Sequence, residues 1–178
     1  KIRGYAFQCW LTVDAWLRLQ ENDRLFVECA EDFAVFASTA AELGQAKAIA
    51  TPISLRSADA VEAINHLWEF QQQGFPGTIK YSFITTAGIV VEKGNPFDGE
   101  AGIALWRNTA IDRDEKNAER LLHFLASDPS VGAKLDPKLA AYLKTAPTKD
   151  FLTSLIIPFV WDTSGPTETG VRAAVDAA

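Results

Sequence analysis

Residues 24–49, RLFVECAEDFAVFASTAAELGQAKAI, set three apolar runs between polar breaks. The runs are 25–27, 33–36 and 46–49, and Glu28, Glu31, Asp32, Gln45 and Lys47 interrupt them. Short runs rich in Phe, Val and Ile, bounded by turn residues such as Ser38, Thr39 and Gly44, predict strands. The first strand is expected over 24–29 and the second after Asp32. The third is expected after a tight connection over 39–44. Side chains two apart on a strand share a face, so Gln45 and Lys47 point one way and Ala46 the other. Pairing 33–37 with 45–49 as a hairpin places Asp32 at the start of the second strand, close to Gln45 and Lys47.

Residues 4–21 carry Phe7, Trp10, Leu11, Trp16, Leu17 and Leu19 at helical spacing, which predicts a helix packed on the sheet. A second helix is expected over 57–73, capped by Ser57, with Asp59 and Glu62 in its first turns. Gly74 and the Phe-Pro-Gly that follows end it. Residues 78–86, TIKYSFITT, alternate as a strand with one buried and one wetter face. The order is helix, three strands, helix, strand. Beyond it, 88–110 is rich in turn residues, with a short helix after Gly102. An amphipathic helix is predicted over 112–126. Short helices follow over 130–135, 137–144 and 148–158, divided by prolines and packed by Phe151, Leu155, Ile156, Phe159 and Trp161. The expectation is an α/β chain: an αβββαβ core with a mixed sheet over 1–90, then a small α-helical subdomain over 91–178.

An acid, an amide oxygen and a lysine at a sheet edge suit metal-assisted phosphodiester hydrolysis. Asp32 ligates a hard cation and the Gln45 carbonyl oxygen is a second ligand. Lys47 orients or deprotonates the attacking water, or stabilises charge in the transition state. Glutamine is neutral and so a weaker ligand than glutamate, and Glu28 and Glu31 are available to compensate. Each residue also has a plainer reading. Adjacent acids at a strand connection are usually solvated, and a lysine on an edge strand blocks aggregation. Gln8 suits a capping or solvated position, and His66 a packing one. Arg56 suits a phosphate contact or a pair with Glu62 or Asp59.

Asp32 followed by Gln45-Ala46-Lys47 resembles the PD-(D/E)xK, restriction-endonuclease-like nucleases, in the variant with Gln-x-Lys. Gly4-Tyr5-Ala6-Phe7-Gln8 resembles the start of the first helix in the double-strand DNA nuclease domains that head bacterial anti-phage proteins. Ile53-Ser54-Leu55-Arg56-Ser57 is also similar to those domains. The resemblance covers residues 3–90 well and the remainder loosely. It implies a restriction-endonuclease-like fold and a Mg2+- or Mn2+-dependent endonuclease of double-stranded DNA, serving as effector in antiviral defence. It assigns Asp32, Gln45, Lys47 and Gln8 to catalysis and Asp32, Gln45, Glu28 and Glu31 to the metal, with Arg56 on DNA. The alternative is a catalytically inactive, nuclease-like scaffold or a DNA-binding or oligomerisation module.

Charge tempers that picture. Net charge is −6, with 17 basic and 23 acidic residues, where a bulk electrostatic grip on DNA calls for a basic domain. A bound cation reverses the local sign at a nuclease site, and further domains or a homo-oligomer supply affinity. The absence of Met and the start at Lys1 read as a piece of a longer chain. No Gly-rich lysine loop is present, so an NTPase or sensor partner domain lies elsewhere. Cys9 and Cys29 form no zinc spacing and read as buried thiols in a reducing compartment. No apolar run is long enough to span a bilayer, so no membrane partner is expected and the cytoplasm is the default.

Overall fold

The computed structural model describes residues 2–28, 32–165 and 168–176, the side chains of 2–4, 168 and 174 excepted. The chain is α/β. Helix α1 (Ile2–Leu17) precedes strands β1 (Arg24–Val27), β2 (Phe33–Phe36) and β3 (Ala40–Lys47). Helix α2 (Ala58–Gln72) and strand β4 (Thr78–Thr85) follow. Strand β5 (Phe159–Asp162) and helix α8 (Glu168–Asp176) close the described chain. Between them lie α3 (Gly102–Asp112), α4 (Glu115–Ser127), α5 (Pro129–Gly132), α6 (Pro137–Leu143) and α7 (Thr148–Phe151), which runs on as a π-helical turn over Leu152–Ile156.

The described strands form one five-stranded sheet in the order β1-β2-β3-β4-β5. β1, β2 and β3 pair antiparallel, whereas β3 and β4 pair parallel, so the sheet is mixed. Parallel neighbours need a long crossover, and this one runs through α2. The helix, three strands, helix, strand order expected from periodicity is therefore present.

The chain divides into two compact units that share its length out in pieces. One comprises residues 1–51, 75–88 and 160–178; the other comprises 52–74 and 89–159. These units do not follow a cut near residue 90. In the first, Phe7 and Leu11 of α1 pack with Phe33, Ala46, Ile84 and Val171 of α8. Trp10 and Val175 flank that cluster. Trp16 and Leu17 lie outside it and are exposed, because α1 ends at Leu17, not at residue 21.

In the second unit, Ile64 and Leu67 of α2, Trp106 of α3, and Leu121 and Leu125 of α4 are fully buried, as are Phe151 and Leu155. Asp114, Asp128 and Asp136 each cap a helix, accepting from the backbone N–H groups two and three residues on. Such caps satisfy donors that have no partner inside the helix. Glu92, 2% exposed, accepts from Leu55 N at 3.0 Å and Gly102 N at 2.8 Å, and so ties the start of α3 to the 52–57 segment. Ser57 stands at the N-cap of α2 as expected but makes no side-chain cap bond; its hydroxyl accepts from Ser54 N at 3.0 Å.

Three expectations need correction. β3 begins at Ala40, not near Gln45. Ala, Glu and Gly have weak strand preference, yet pairing with β2 on one side and β4 on the other holds 40–44 extended. Phe159 and Trp161 belong to a strand, their buried side chains alternating with the exposed Val160 and Asp162, although Phe159 still packs on a helix, its ring centre 5.6 Å from that of Trp106 in α3. Cys9 is exposed on α1, not buried, and Cys29 lies outside the described residues. Among the described residues no helix is long and apolar enough to cross a membrane.

Candidate functional site

The end of β3 extends past the pair Phe33–Gly44, as far as Lys47. Alongside this overhang, a side chain takes up the hydrogen bonding that a strand would otherwise provide. Ala46 N–H donates to Asp32 Oδ2 at 2.6 Å. Gln8 Nε2 donates to Asp32 Oδ1 at 2.9 Å and to Ala46 O at 3.3 Å. The Asp32 main chain is held as well, since its carbonyl accepts from Glu28 N at 3.1 Å. Three elements thus meet at one point: α1 through Gln8, the entry to β2 through Asp32, and the end of β3 through the Ala46 peptide.

Packing explains why Gln8 arrives there. Phe7 and Leu11 anchor α1 on the face of the sheet that carries Ala46 and Phe33. Successive helical residues are turned by about 100°, so Gln8, next to Phe7, swings off the buried stripe toward the sheet's end. Thr12 Oγ1 donates to Gln8 O at 3.0 Å, one turn on. A cleft of about 230 Å3 opens here, with Gln8, Cys9 and Thr12 on one wall and Val27, Glu28 and Asp32 on the other. Tyr5 stands at its mouth, exposed. A hydrogen bond with Cys9 raises the Tyr5 phenol above its ordinary pKa; the charges of Cys9 and Glu28, and burial, add to the rise.

The site residues expected from sequence fall into separate places. Gln8 and Asp32 are hydrogen-bonded to each other. Glu28 is exposed on the rim of the same cleft, at φ 54°. Glu31 lies outside the described residues. Gln45 is buried and Lys47 half-buried. Strand alternation sets both on the sheet face opposite the Ala46 side chain, and neither is among the described residues lining the cleft.

Arg56 belongs to the other unit. Its Nε and Nη2 donate to Asp128 Oδ2 at 3.0 and 2.7 Å, and its guanidinium lies 5.4 Å from the Phe124 ring centre. It also donates to Lys93 O. Asp128, 72 residues on, is thus a partner that neither Glu62 nor Asp59 foreshadowed.

Sequence reasoning missed the Ala46 peptide. A main-chain group leaves no mark in side-chain pattern, and the one sign was its position between Gln45 and Lys47. It also missed Tyr5 and Cys9, whose i, i+4 spacing on one helix face was the available signal.

No protein-family model, curated protein or solved structure matches this chain. The chemistry of the site therefore rests on its own geometry. Asp32 Oδ1 and Ala46 O, from the entry to β2 and the end of the consecutive strand β3, both accept from the Gln8 amide nitrogen. The Gln8 amide carries two N–H donors, one for each oxygen, and the two oxygens it gathers are of the carboxylate and carbonyl kinds that a hard cation takes. Among the described residues, no three or more His, Cys, Asp or Glu side chains are grouped so as to hold a metal ion. Any cation here would depend on one carboxylate and neutral oxygens.

Proposed function

We propose that this chain is a Mg2+- or Mn2+-dependent endonuclease that cleaves phosphodiester bonds of double-stranded DNA. On this reading it follows the plan of the restriction-endonuclease-like nucleases. The observation that carries the reading is the meeting of Asp32 Oδ1 and Ala46 O on the Gln8 amide. The order of strands and helices agrees with it.

The residues that would hold the cation are Asp32 and the Ala46 carbonyl, with Gln8 turned so that its amide oxygen faces inward. The two ends of an amide differ little in shape and exchange by rotation about the last bond. Glu28 on the rim adds negative charge. A divalent cation bound there supplies Lewis acidity to a phosphate oxygen and lowers the pKa of a bound water. The Ala46 N–H bond fixes Asp32 in one rotamer, so its other oxygen keeps its aim. Lys47, which does not line this cleft among the described residues, keeps its role on the resemblance alone: an ammonium that would steady the charge on the attacked phosphate. Gln45 stays in the reading as a neighbour on the same strand.

The role of antiviral effector, with NTPase or sensor domains and a homo-oligomer as partners, rests on the resemblance of Asp32 with Gln45-Ala46-Lys47 and of the 4–8 and 53–57 segments. One observation favours a second reading, an inactive scaffold of the same plan. Both Asp32 oxygens already accept from protein donors.

Nicking of supercoiled plasmid with Mg2+ or Mn2+ separates the two readings. The nuclease reading expects cleavage by the wild type, lost on the order of 100-fold in Asp32→Ala and Lys47→Ala with folding retained. Full cleavage by either variant overturns the assignment. No cleavage by the wild type, together with no Mn2+ binding, leaves the scaffold.

A further inference from the structure

A second cleft, of about 440 Å3, opens in the first unit beside α1, and shares no described lining residue with the Gln8–Asp32 cleft. Its volume falls within the range of small-molecule sites. The floor is apolar, built from Phe33 and Val35 of β2, Ile84 of β4 and Val160 of β5. Leu11 and Ala15 of α1 form a wall.

Two features of this cleft point to a ligand. Ser82 of β4 lies in the floor at 7% exposure, and its hydroxyl makes no hydrogen bond among the described residues. That hydroxyl is open to the cleft, where a ligand atom can take up the bond it does not make within the protein. Charge is the second feature. Asp14 and Glu42 on the rim are matched by Arg18 and Lys80, each at 2.8 Å. Asp23 accepts only from Gln20 N, at 3.0 Å, among the described residues. Asp162 makes no hydrogen bond or ion pair among them. Four carboxylates therefore face two cations around an apolar floor, and the excess is negative.

We infer that this cleft binds a small organic cation, an ammonium carried on an apolar body of about one or two rings. The body lies on the floor of Phe33, Ile84 and Val160. The ammonium pairs with Asp162, and Ser82 Oγ accepts one of the ligand's N–H bonds. A doubly negative anion is disfavoured there by the same excess of carboxylates. The inference is independent of the nuclease reading, because none of its residues belongs to the Gln8–Asp32 site.

The test is an NMR titration of the whole 178-residue chain with tryptamine and, in parallel, with indole-3-ethanol, which has the same ring and no charge. Tryptamine is expected to shift the amides of Ser82, Ile84 and Asp162, with affinity about tenfold above that of the alcohol. Asp162→Asn, an exposed and isosteric change, should remove that preference. Ser82→Ala should weaken tryptamine binding a few-fold with the rest of the spectrum unchanged. Three results overturn the inference: equal affinity for the two probes, a tryptamine preference that survives in Asp162→Asn, or no shift at these amides at millimolar tryptamine.

Discussion

Asp128 shows how much one side chain holds together. It caps α5 through Ser130 N and Val131 N at 2.9 and 3.1 Å and accepts twice from Arg56. Burial pushes its carboxyl pKa up, but the Arg56 hydrogen bond, the two backbone bonds and the Arg56 charge together hold it below the usual carboxylate value. The folded pKa thus lies under the unfolded one, about 3.9. Its stabilisation is fully present above that pH and disappears as pH falls through the folded value. Asp128→Asn is expected to lower the urea midpoint at pH 7, where a half-buried Arg56 loses its anion. The gap from wild type should narrow at about pH 3, and an equal gap at both pH values would contradict this. The sequence carried Arg56 as a candidate for phosphate and gave no way to see Asp128, since a pair 72 residues apart depends on tertiary packing. Asp32 stood out as an acid between two apolar strands, and Gln8 only through the resemblance of residues 4–8; the structure joins the two by a hydrogen bond.

At the scale of elements, β2 and β3 depend on a single missing side chain. Phe33 sits opposite Gly44, and a Cβ at residue 44 would fall within the Phe33 ring. Gly44→Val is expected to destabilise by about 1–3 kcal/mol, the usual cost of forcing volume into a packed core. It should also disturb the Asp32–Ala46 bond just beyond that pair. Thermal melts, with the Ala46 amide shift as local probe, check both effects; an unchanged melt would show that the ring yields freely. Strand existence was readable from apolar runs, because Phe, Val and Ile at strand spacing have few other uses. The start of β3 was not, since Ala-Ala-Glu-Leu-Gly is extended only by pairing on both sides. β5 was hidden for a related reason: four residues between helices are too few for a periodicity to declare itself.

At the scale of the whole molecule, the chain supplies its sheet unit from three separate stretches. Val171 and Val175 of α8 pack with Phe7 and Leu11 of α1, and β5 completes the sheet. A fragment of residues 1–90 lacks both elements. It also strands 52–74 and 89–90 away from the rest of their own unit. Such a fragment is expected to show no cooperative unfolding by circular dichroism, and a sharp, reversible transition would contradict that. A domain boundary near residue 90 was the natural reading of the sequence, because the pattern turns from strands to helices there. The return of α8 to the first unit is a long-range fact that local pattern does not encode.

The proposed cation site is made by the Asp32 carboxylate, the Ala46 carbonyl and the Gln8 amide, and a paramagnetic ion reports on it at those groups. Manganese is paramagnetic and broadens the NMR signals of nuclei near it. Titrated into the isotopically labelled chain, Mn2+ is expected to erase first the Gln8 side-chain amide and the Ala46 backbone amide, and to spare both in Asp32→Ala. Broadening that begins elsewhere, or that is unchanged in Asp32→Ala, would mean that these oxygens do not hold a cation.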